Sequence, residues 1–135
     1  MLTRTLPAEP GSAATARRSL VALQDHMPPR CLQNLGLVVS ELVTNALVHS
    51  GLDVGGMIRL TVNLFPGHVR VEVTDAGGGF ARRVAQASGA VPELDDHGYG
   101  LLLVERLADR WGIERRPETV VWAEIPFGGR NSPGG

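Results

Sequence analysis

Two neighbouring segments of alternating polarity constrain the fold of this chain more than any other feature. Residues 58–64 and 69–73 each carry an apolar side chain at every second position. Such alternation is typical of half-buried β-strands, and the Pro66-Gly67 pair between the segments predicts a tight turn. The chain is therefore expected to contain a β-hairpin whose apolar face looks into the core.

The segments around this hairpin predict a mixture of helices and further strands. Helical spacing of apolar residues indicates helices over 12–27, 31–50 and 101–110, and alternation indicates strands over 2–6, 111–115 and 119–125. Residues 76–100 have no sustained period and are expected to form a long loop or lid. This order favours an α+β fold, a two-layer sandwich with a mixed or antiparallel sheet and helices on one face. We expect one domain over residues 1–127 and a disordered tail over 128–135.

Composition excludes several classes of function. A length of 135 residues, 43% of them hydrophobic, with a net charge of -1 suits one compact domain and gives no large field for direct nucleic-acid binding. No stretch is apolar enough to span a membrane or to act as a secretory signal, so a cytoplasmic location is expected. All 13 basic residues are arginine. The phosphate-binding lysine of a Walker A loop is therefore missing, and any ATP site must use another architecture.

Three polar residues follow one face of the second predicted helix. Glu41, Asn45 and His49 are spaced four apart, so they lie in a row over about three turns. A solvated face is the usual reason for such a row, but the apolar residues around it leave little room for one. These three residues are therefore suited to line one wall of a binding site.

Two glycine-rich segments complete the motifs. Asp75 ends the second strand of the hairpin on its core-facing side. A buried carboxylate needs a hydrogen-bond donor, and the exocyclic amine of adenine is a suitable one. The alternative is that Asp75 only begins a turn that reverses the chain. Three glycines follow it. Gly98-Tyr99-Gly100 directly precedes the third helix, where free N–H groups suit a phosphate, although G-x-G alone is a weak signal.

Together these segments resemble the GHKL superfamily of ATPases and kinases, whose domain has the Bergerat ATP-binding fold, and within it the bacterial anti-sigma factor serine/threonine-protein kinases. Residues 41–50 resemble the N box, 75–80 the D-x-G-x-G box and 98–112 the second glycine box. Residues 119–121 resemble a T-x-V segment. The resemblance covers most of the chain, from the first helix to Ile125.

The resemblance implies a role for each matching residue. Asn45 would ligate Mg²⁺, and Glu41 would be the catalytic residue that activates the nucleophile. Asp75 and Thr119 would hold adenine. Gly77 and Gly79 would shape the pocket for the base. Gly98 and Gly100 would close on the phosphates. Two positions depart from the family pattern: Glu118 replaces a usual glycine, and Tyr99 stands where arginine is frequent.

The function implied by the resemblance is that of an anti-sigma factor. Such a protein binds a sigma factor and uses Mg-ATP to phosphorylate a serine or threonine of a STAS-type anti-anti-sigma partner; a homodimer is compatible with it. The alternative is a non-catalytic module that binds a protein partner in response to ATP. Both share one pocket, so only turnover separates them.

Overall fold

The computed structural model describes residues 1–50, 56–75, 101–116 and 118–128. Four helical segments are found in these ranges: α1 (Ser12–Ser19), a 3₁₀ helix (Leu20–His26), α2 (Pro29–Ser50) and α3 (Leu102–Leu107). Five strands accompany them: β1 (Leu2–Pro7), β2 (Met57–Phe65), β3 (His68–Asp75), β4 (Arg110–Arg116) and β5 (Glu118–Pro126).

The five strands form one sheet in the order β1-β2-β3-β5-β4, and every neighbouring pair is antiparallel. The predicted hairpin is β2 and β3, with Phe65 paired to His68 across the turn. Gly67 in that turn has a φ of 84°, a value that glycine adopts without steric cost. The expected α+β sandwich is confirmed, and the described sheet is antiparallel rather than mixed.

The inner face of the sheet, which we define as the face carrying Ile58, Val71 and Val121, packs against the helices. Its apolar side chains are almost fully buried, as are those of α2 at Leu35, Val39 and Leu42. α2 contacts α1 on one side and the strands β3 and β5 on another, which explains why apolar residues cover most of its circumference. The core therefore lies between α2 and the sheet.

Two of the predicted helices are shorter than their periodicity indicated. The α-helix expected over 12–27 ends at Ser19, whose hydroxyl donates to the Ala16 carbonyl at 2.7 Å, and continues as a 3₁₀ helix. The helix expected over 101–110 ends at Leu107. The Asp109 N–H donates to the Glu124 carbonyl at 2.8 Å. The chain therefore pairs with β5 from this point, and the helix ends before the predicted residue 110.

Several expected features lie outside the described residues. They are the loop over 76–100, with its four proposed glycines, and nearly all of the tail over 128–135. The domain limit at residue 127 stays a prediction. Within the ranges that the structure describes, no helix has the length and apolar character needed to cross a membrane.

Candidate nucleotide site between the helix layer and the sheet

Asp75 and Thr119 lie opposite each other where β3 and β5 run side by side. The two residues are partners in the antiparallel register, at the last position of β3 and the second position of β5. Both are buried, with Asp75 4% exposed and Thr119 fully enclosed. Directly opposite residues on one face have Cβ atoms about 5 Å apart, so one flat ligand can reach both side chains.

The Thr119 hydroxyl provides a specific test of whether this corner fits a ligand. Among the described residues, its Oγ1 atom is a buried side-chain polar atom without a hydrogen-bond partner. Burying an unsatisfied hydroxyl costs about 1–3 kcal/mol, so such atoms in native proteins usually have a function. A base with ring nitrogens and an exocyclic amine would complete the hydrogen bonding here, which fits the adenine expected for Asp75 and Thr119.

Asn45 and Glu41 lie one turn apart in α2, as their spacing predicted. The Asn45 Nδ2 group donates to the Glu41 backbone carbonyl oxygen at 2.9 Å, and Asn45 as a residue is buried, with 8% of its surface exposed. Because this bond fixes the amide nitrogen, Oδ1 is the atom that Asn45 can offer to a cation. An amide oxygen is a suitable ligand for Mg²⁺.

Magnesium at this position would depend on its nucleotide for most of its ligands. Within residues 1–50, 56–75, 101–116 and 118–128, no three His, Cys, Asp or Glu side chains converge to hold a metal. Mg²⁺ commonly takes one or two protein ligands and completes its shell with phosphates and waters. The single amide of Asn45 therefore suits an ion that arrives as Mg-ATP.

Glu41 is half-buried beside a cleft between α2 and α3. The cleft has a volume of about 370 Å³. Its described lining is Glu41 on one wall and Leu102, Leu103 and Arg106 on the other. Burial raises the pKa of the Glu41 carboxyl above that of an ordinary glutamate, because the charged form loses hydration. A more basic carboxylate is better suited to accept a proton from a hydroxyl.

The remaining predicted site residues lie outside the part that can be described. These are Gly77, Gly79, Gly98, Gly100 and the side chain of His49. Their assignment stays a prediction. The described chain brings together two pairs, Glu41 with Asn45 on α2 and Asp75 with Thr119 at the strand ends.

An ion pair near Thr119 was not anticipated from the sequence. Arg59 Nη2 lies 3.2 Å from Glu118 Oε1, so a residue of β2 reaches across β3 to the first residue of β5. Thr74, the neighbour of Arg59 in β3, lies beneath this crossing and is 5% exposed although it faces away from the helices. Glu118, which departs from the family glycine, thus has a structural partner. No local pattern could have paired residues 59 positions apart.

The fold and this site define the class of the protein. It is a two-layer α+β domain in which Asp75 and Thr119 are buried at the strand ends, and Asn45 and Glu41 lie on the helix that packs against the same sheet. Sequence comparison gives the same class. Residues 6–125 match the model of the histidine kinase-like ATPase domain family. The chain belongs to this family of ATPase domains, and its group of relatives includes anti-sigma factors.

Individual relatives are moderately similar. An anti-sigma F factor of Pasteuria penetrans is 31% identical over 112 residues, 77% of this chain and 74% of the relative. An anti-sigma F factor of a Geobacillus strain is 30% identical over 120 residues, 84% of this chain and 76% of the relative. An uncharacterised protein of Streptomyces coelicolor is 37% identical over 78 residues, 58% of this chain and 70% of its own length.

Structural comparison supports the same fold. A chain in the crystal structure of the SiaB-SiaC complex from Pseudomonas aeruginosa superposes with a TM-score of 0.55 and 15% sequence identity. The alignment covers 93% of this chain and 89% of the other. At this level of identity the likeness concerns the fold alone.

Proposed function

We propose that this chain is an ATP-dependent switch protein: it sequesters a sigma factor and transfers the γ-phosphate of Mg-ATP to a serine or threonine of a STAS-type anti-anti-sigma partner. The observation that carries the proposal is the arrangement on α2, where Asn45 is tied to the Glu41 backbone and Glu41 borders an open cleft. One turn of helix thus offers a cation ligand and a carboxylate side by side. The anti-sigma F factors among the relatives supply the class of partner.

Each described residue has a distinct task in this proposal. Asp75 accepts a hydrogen bond from the exocyclic amine of adenine, and the Thr119 hydroxyl gains the partner that it lacks among the described residues. Asn45 Oδ1 would be the protein ligand of Mg²⁺. The ion, when bound with its nucleotide, neutralises charge on the phosphate oxygens. These groups hold the nucleotide and leave proton transfer to Glu41.

Glu41 acts on the acceptor. Its carboxylate orients the serine or threonine hydroxyl and takes the proton as the hydroxyl oxygen bonds to the γ-phosphorus; the bond from that phosphorus to the departing ADP oxygen breaks. Phosphoryl transfer of this kind depends on placement and charge neutralisation more than on covalent chemistry by the protein. A carboxylate within reach of the hydroxyl is sufficient.

The proposal is tested by separating binding from turnover. Glu41→Ala is expected to bind Mg-ATP nearly as the native chain does, while phosphorylation of the STAS partner slows by about 10²–10⁴-fold, the usual contribution of a general base. Calorimetry gives the affinity and intact mass gives the phosphorylation. Gln33→Ala, an exposed change two turns earlier in α2, is the matched control and should alter neither.

The pH dependence of transfer gives a second test of Glu41. Only the carboxylate form accepts a proton, so the rate is expected to fall as the pH drops through the pKa of Glu41. Since burial raises that pKa, the fall should begin at a higher pH than for an ordinary glutamate. The acid limb should be absent from the residual activity of Glu41→Ala.

One outcome favours the alternative function. If the native chain binds Mg-ATP and a STAS protein but phosphorylates none of the STAS proteins of its genome, the kinase assignment is wrong. The chain is then a nucleotide-dependent binding module.

A further inference from the structure

The ion pair between Arg59 and Glu118 lies at the same end of the sheet as the proposed adenine residues. Arg59 is opposite Thr74, the residue before Asp75 in β3. Glu118 directly precedes Thr119 in β5. Because side chains alternate between the two faces of a strand, Arg59 and Glu118 project from the outer face, the one turned away from the helices. Asp75 and Thr119 project from the inner face, so one layer of backbone separates the ion pair from the base pocket.

The ion pair connects two strands at a position where the described pairing of β3 with β5 has ended. The last partners in that register are Asp75 and Thr119. Glu118 lies one position further, and its Oε1 atom is 3.2 Å from Nη2 of Arg59, which reaches across β3 from β2. Among the described strands, backbone pairing supports Glu118 from one side, through Arg116 of the edge strand β4. The Arg59 side chain supplies the connection on the other side.

The hydroxyl of Thr119 depends on the placement of this part of β5. Its Oγ1 atom is buried and has no hydrogen-bond partner among the described residues. The position of Oγ1 is therefore set by the backbone of β5 and by packing. Residues at the end of a strand open at a small cost in free energy, and a hydrogen bond weakens steeply when its distance and angle depart from the ideal. A small displacement at Glu118 thus changes the contact that Thr119 makes with a ligand.

The exposure of the ion pair limits the size of this effect. Both side chains are more than one-third exposed, at 41% for Arg59 and 36% for Glu118. Ion pairs at such positions are weak, and salt screens them. An effect on ligand affinity that arises from this pair is therefore expected to be modest and to depend on salt.

We propose that Arg59 and Glu118 are positioning residues for the adenine contact of Thr119. Their ion pair holds the first residues of β5 in place, so that the Thr119 hydroxyl meets the base in hydrogen-bonding geometry. The inference rests on the proposed function in one respect, namely that Thr119 contacts the adenine of ATP. Neither positioning residue touches the nucleotide or the acceptor. Glycine, which is usual in the family pattern at the position of Glu118, has no side chain for this contact.

The experiment compares two ion pairs on the outer face of the sheet. Arg59→Ala and Glu118→Ala each remove one partner of the pair beside Thr119. Arg110→Ala and Glu124→Ala are the matched controls, because they break a pair with an N–O distance of 2.9 Å at the other end of β5. Calorimetry gives the affinity of each variant for Mg-ATP at low and at high salt. Urea unfolding confirms that each variant is folded at the temperature of the titration.

Both Arg59→Ala and Glu118→Ala are expected to weaken Mg-ATP binding by about threefold, which is within the range that an exposed ion pair contributes. The shared direction distinguishes positioning from long-range electrostatics. Because ATP is an anion, loss of a distant positive charge alone would weaken its binding, whereas loss of a distant negative charge alone would strengthen it. The difference from the native chain should decrease at high salt. The controls should bind Mg-ATP as the native chain does.

A double-mutant cycle tests whether the ion pair acts through Thr119. Thr119→Val removes the hydroxyl and keeps the shape of the side chain. If the ion pair places that hydroxyl, Glu118→Ala should lower the Mg-ATP affinity of the native chain but should not lower that of Thr119→Val any further. An ion pair that only stabilises the fold would not produce this non-additivity.

Each contrary result has a separate meaning. Native or increased affinity in either Arg59→Ala or Glu118→Ala overturns the positioning role, because an ion pair needs both partners. An equal loss in the controls, or an equal loss from Glu118→Ala with and without the Thr119 hydroxyl, also overturns it. Native affinity in Thr119→Val alone removes Thr119 from the adenine site, and the positioning role is then wrong as well. Transfer to a STAS protein is not measured here, so a failure of the kinase assignment leaves this test intact.

Discussion

The two faces of the sheet differ in how many polar side chains they carry. On the inner face of the central strands β2, β3 and β5, apolar residues fill every position except Asp75 and Thr119, which face each other at one end. The outer face is rich in charged residues, and these pair with one another. The described ion pairs of the outer face are therefore made within the chain, whereas the Thr119 hydroxyl of the inner face has no partner among the described residues.

The outer face is organised around Glu124. Arg70 Nη1 lies 2.9 Å from one Glu124 oxygen, and Arg110 Nη2 lies 2.9 Å from the other. The Arg70 guanidinium also lies 4.2 Å from the centre of the Trp122 ring, a cation–π contact. A Cβ atom at Gly112 would come within 3.0 Å of this ring, so glycine leaves Trp122 the room it occupies. These contacts are structural and complete within the chain.

The largest effect is expected from a substitution in the inner pair, Asp75 and Thr119. Asp75→Asn replaces a charged acceptor by an amide, and a buried hydrogen bond to a charged group is worth about 1.5–3 kcal/mol, so ATP affinity should fall at least about tenfold. Calorimetric titration measures it. Glu72→Gln, on the outer face of the same strand, is the control and should bind ATP normally. Native affinity in Asp75→Asn would remove this residue from the site.

The next effect concerns the outer network. Glu124→Gln should lower the free energy of unfolding by about 1.5 kcal/mol, because the three charge-assisted hydrogen bonds from Arg70 and Arg110 are weakened, while ATP affinity stays unchanged. Urea unfolding measures the loss, and Glu9→Gln at an exposed position is the control. Reduced ATP affinity in Glu124→Gln would contradict the separation of the two faces.

The contribution of Glu124 should also depend on pH. Burial alone raises its pKa, but the hydrogen bonds from Arg110 and Arg70 outweigh burial and hold the pKa below its ordinary value. The stabilisation is therefore complete above the pKa that Glu124 has in the unfolded chain, and it is lost as the pH falls through the lower pKa of the folded state. The stability difference between the native chain and Glu124→Gln should shrink over that acidic range.

A smaller effect of opposite sign tests the Thr119 hydroxyl. Thr119→Val keeps the shape of the side chain and removes a buried oxygen that lacks a partner among the described residues, so the nucleotide-free protein should gain about 1 kcal/mol of stability. The same variant should bind ATP more weakly. Thr74→Val, one residue from Asp75 but on the outer face, should leave ATP affinity unchanged. A loss of stability without nucleotide in Thr119→Val would mean that the hydroxyl is satisfied within the protein.

The smallest effect belongs to the Arg59–Glu118 pair. Both side chains are more than one-third exposed, at 41% and 36%, and exposed pairs contribute about 0–1 kcal/mol. Glu118→Ala should therefore cost about 0.5 kcal/mol or less in thermal unfolding, and the cost should decrease in high salt. A loss well above that, or one that salt does not reduce, would show that Glu118 fixes the start of β5 through more than this ion pair.

Local sequence patterns determined the elements and part of the site. Alternation placed Asp75 on the same face as the apolar residues of β3, because side chains of a strand alternate strictly between two faces. Helical spacing placed Glu41 and Asn45 on one face of α2, because 3.6 residues complete a turn. Both statements need only the geometry of a single element, so they could be made before any packing was known.

Only the tertiary structure decided which elements meet. The register that sets Asp75 opposite Thr119 joins residues 44 positions apart, as the difference between their numbers gives, and the sheet order places β5 between β3 and β4. The contact of α3 with α2 creates the cleft beside Glu41, and pairing of Arg110 with Glu124 ends the helical pattern early. These outcomes follow from competition among distant surfaces for burial and for hydrogen bonds, which no local period of the sequence records.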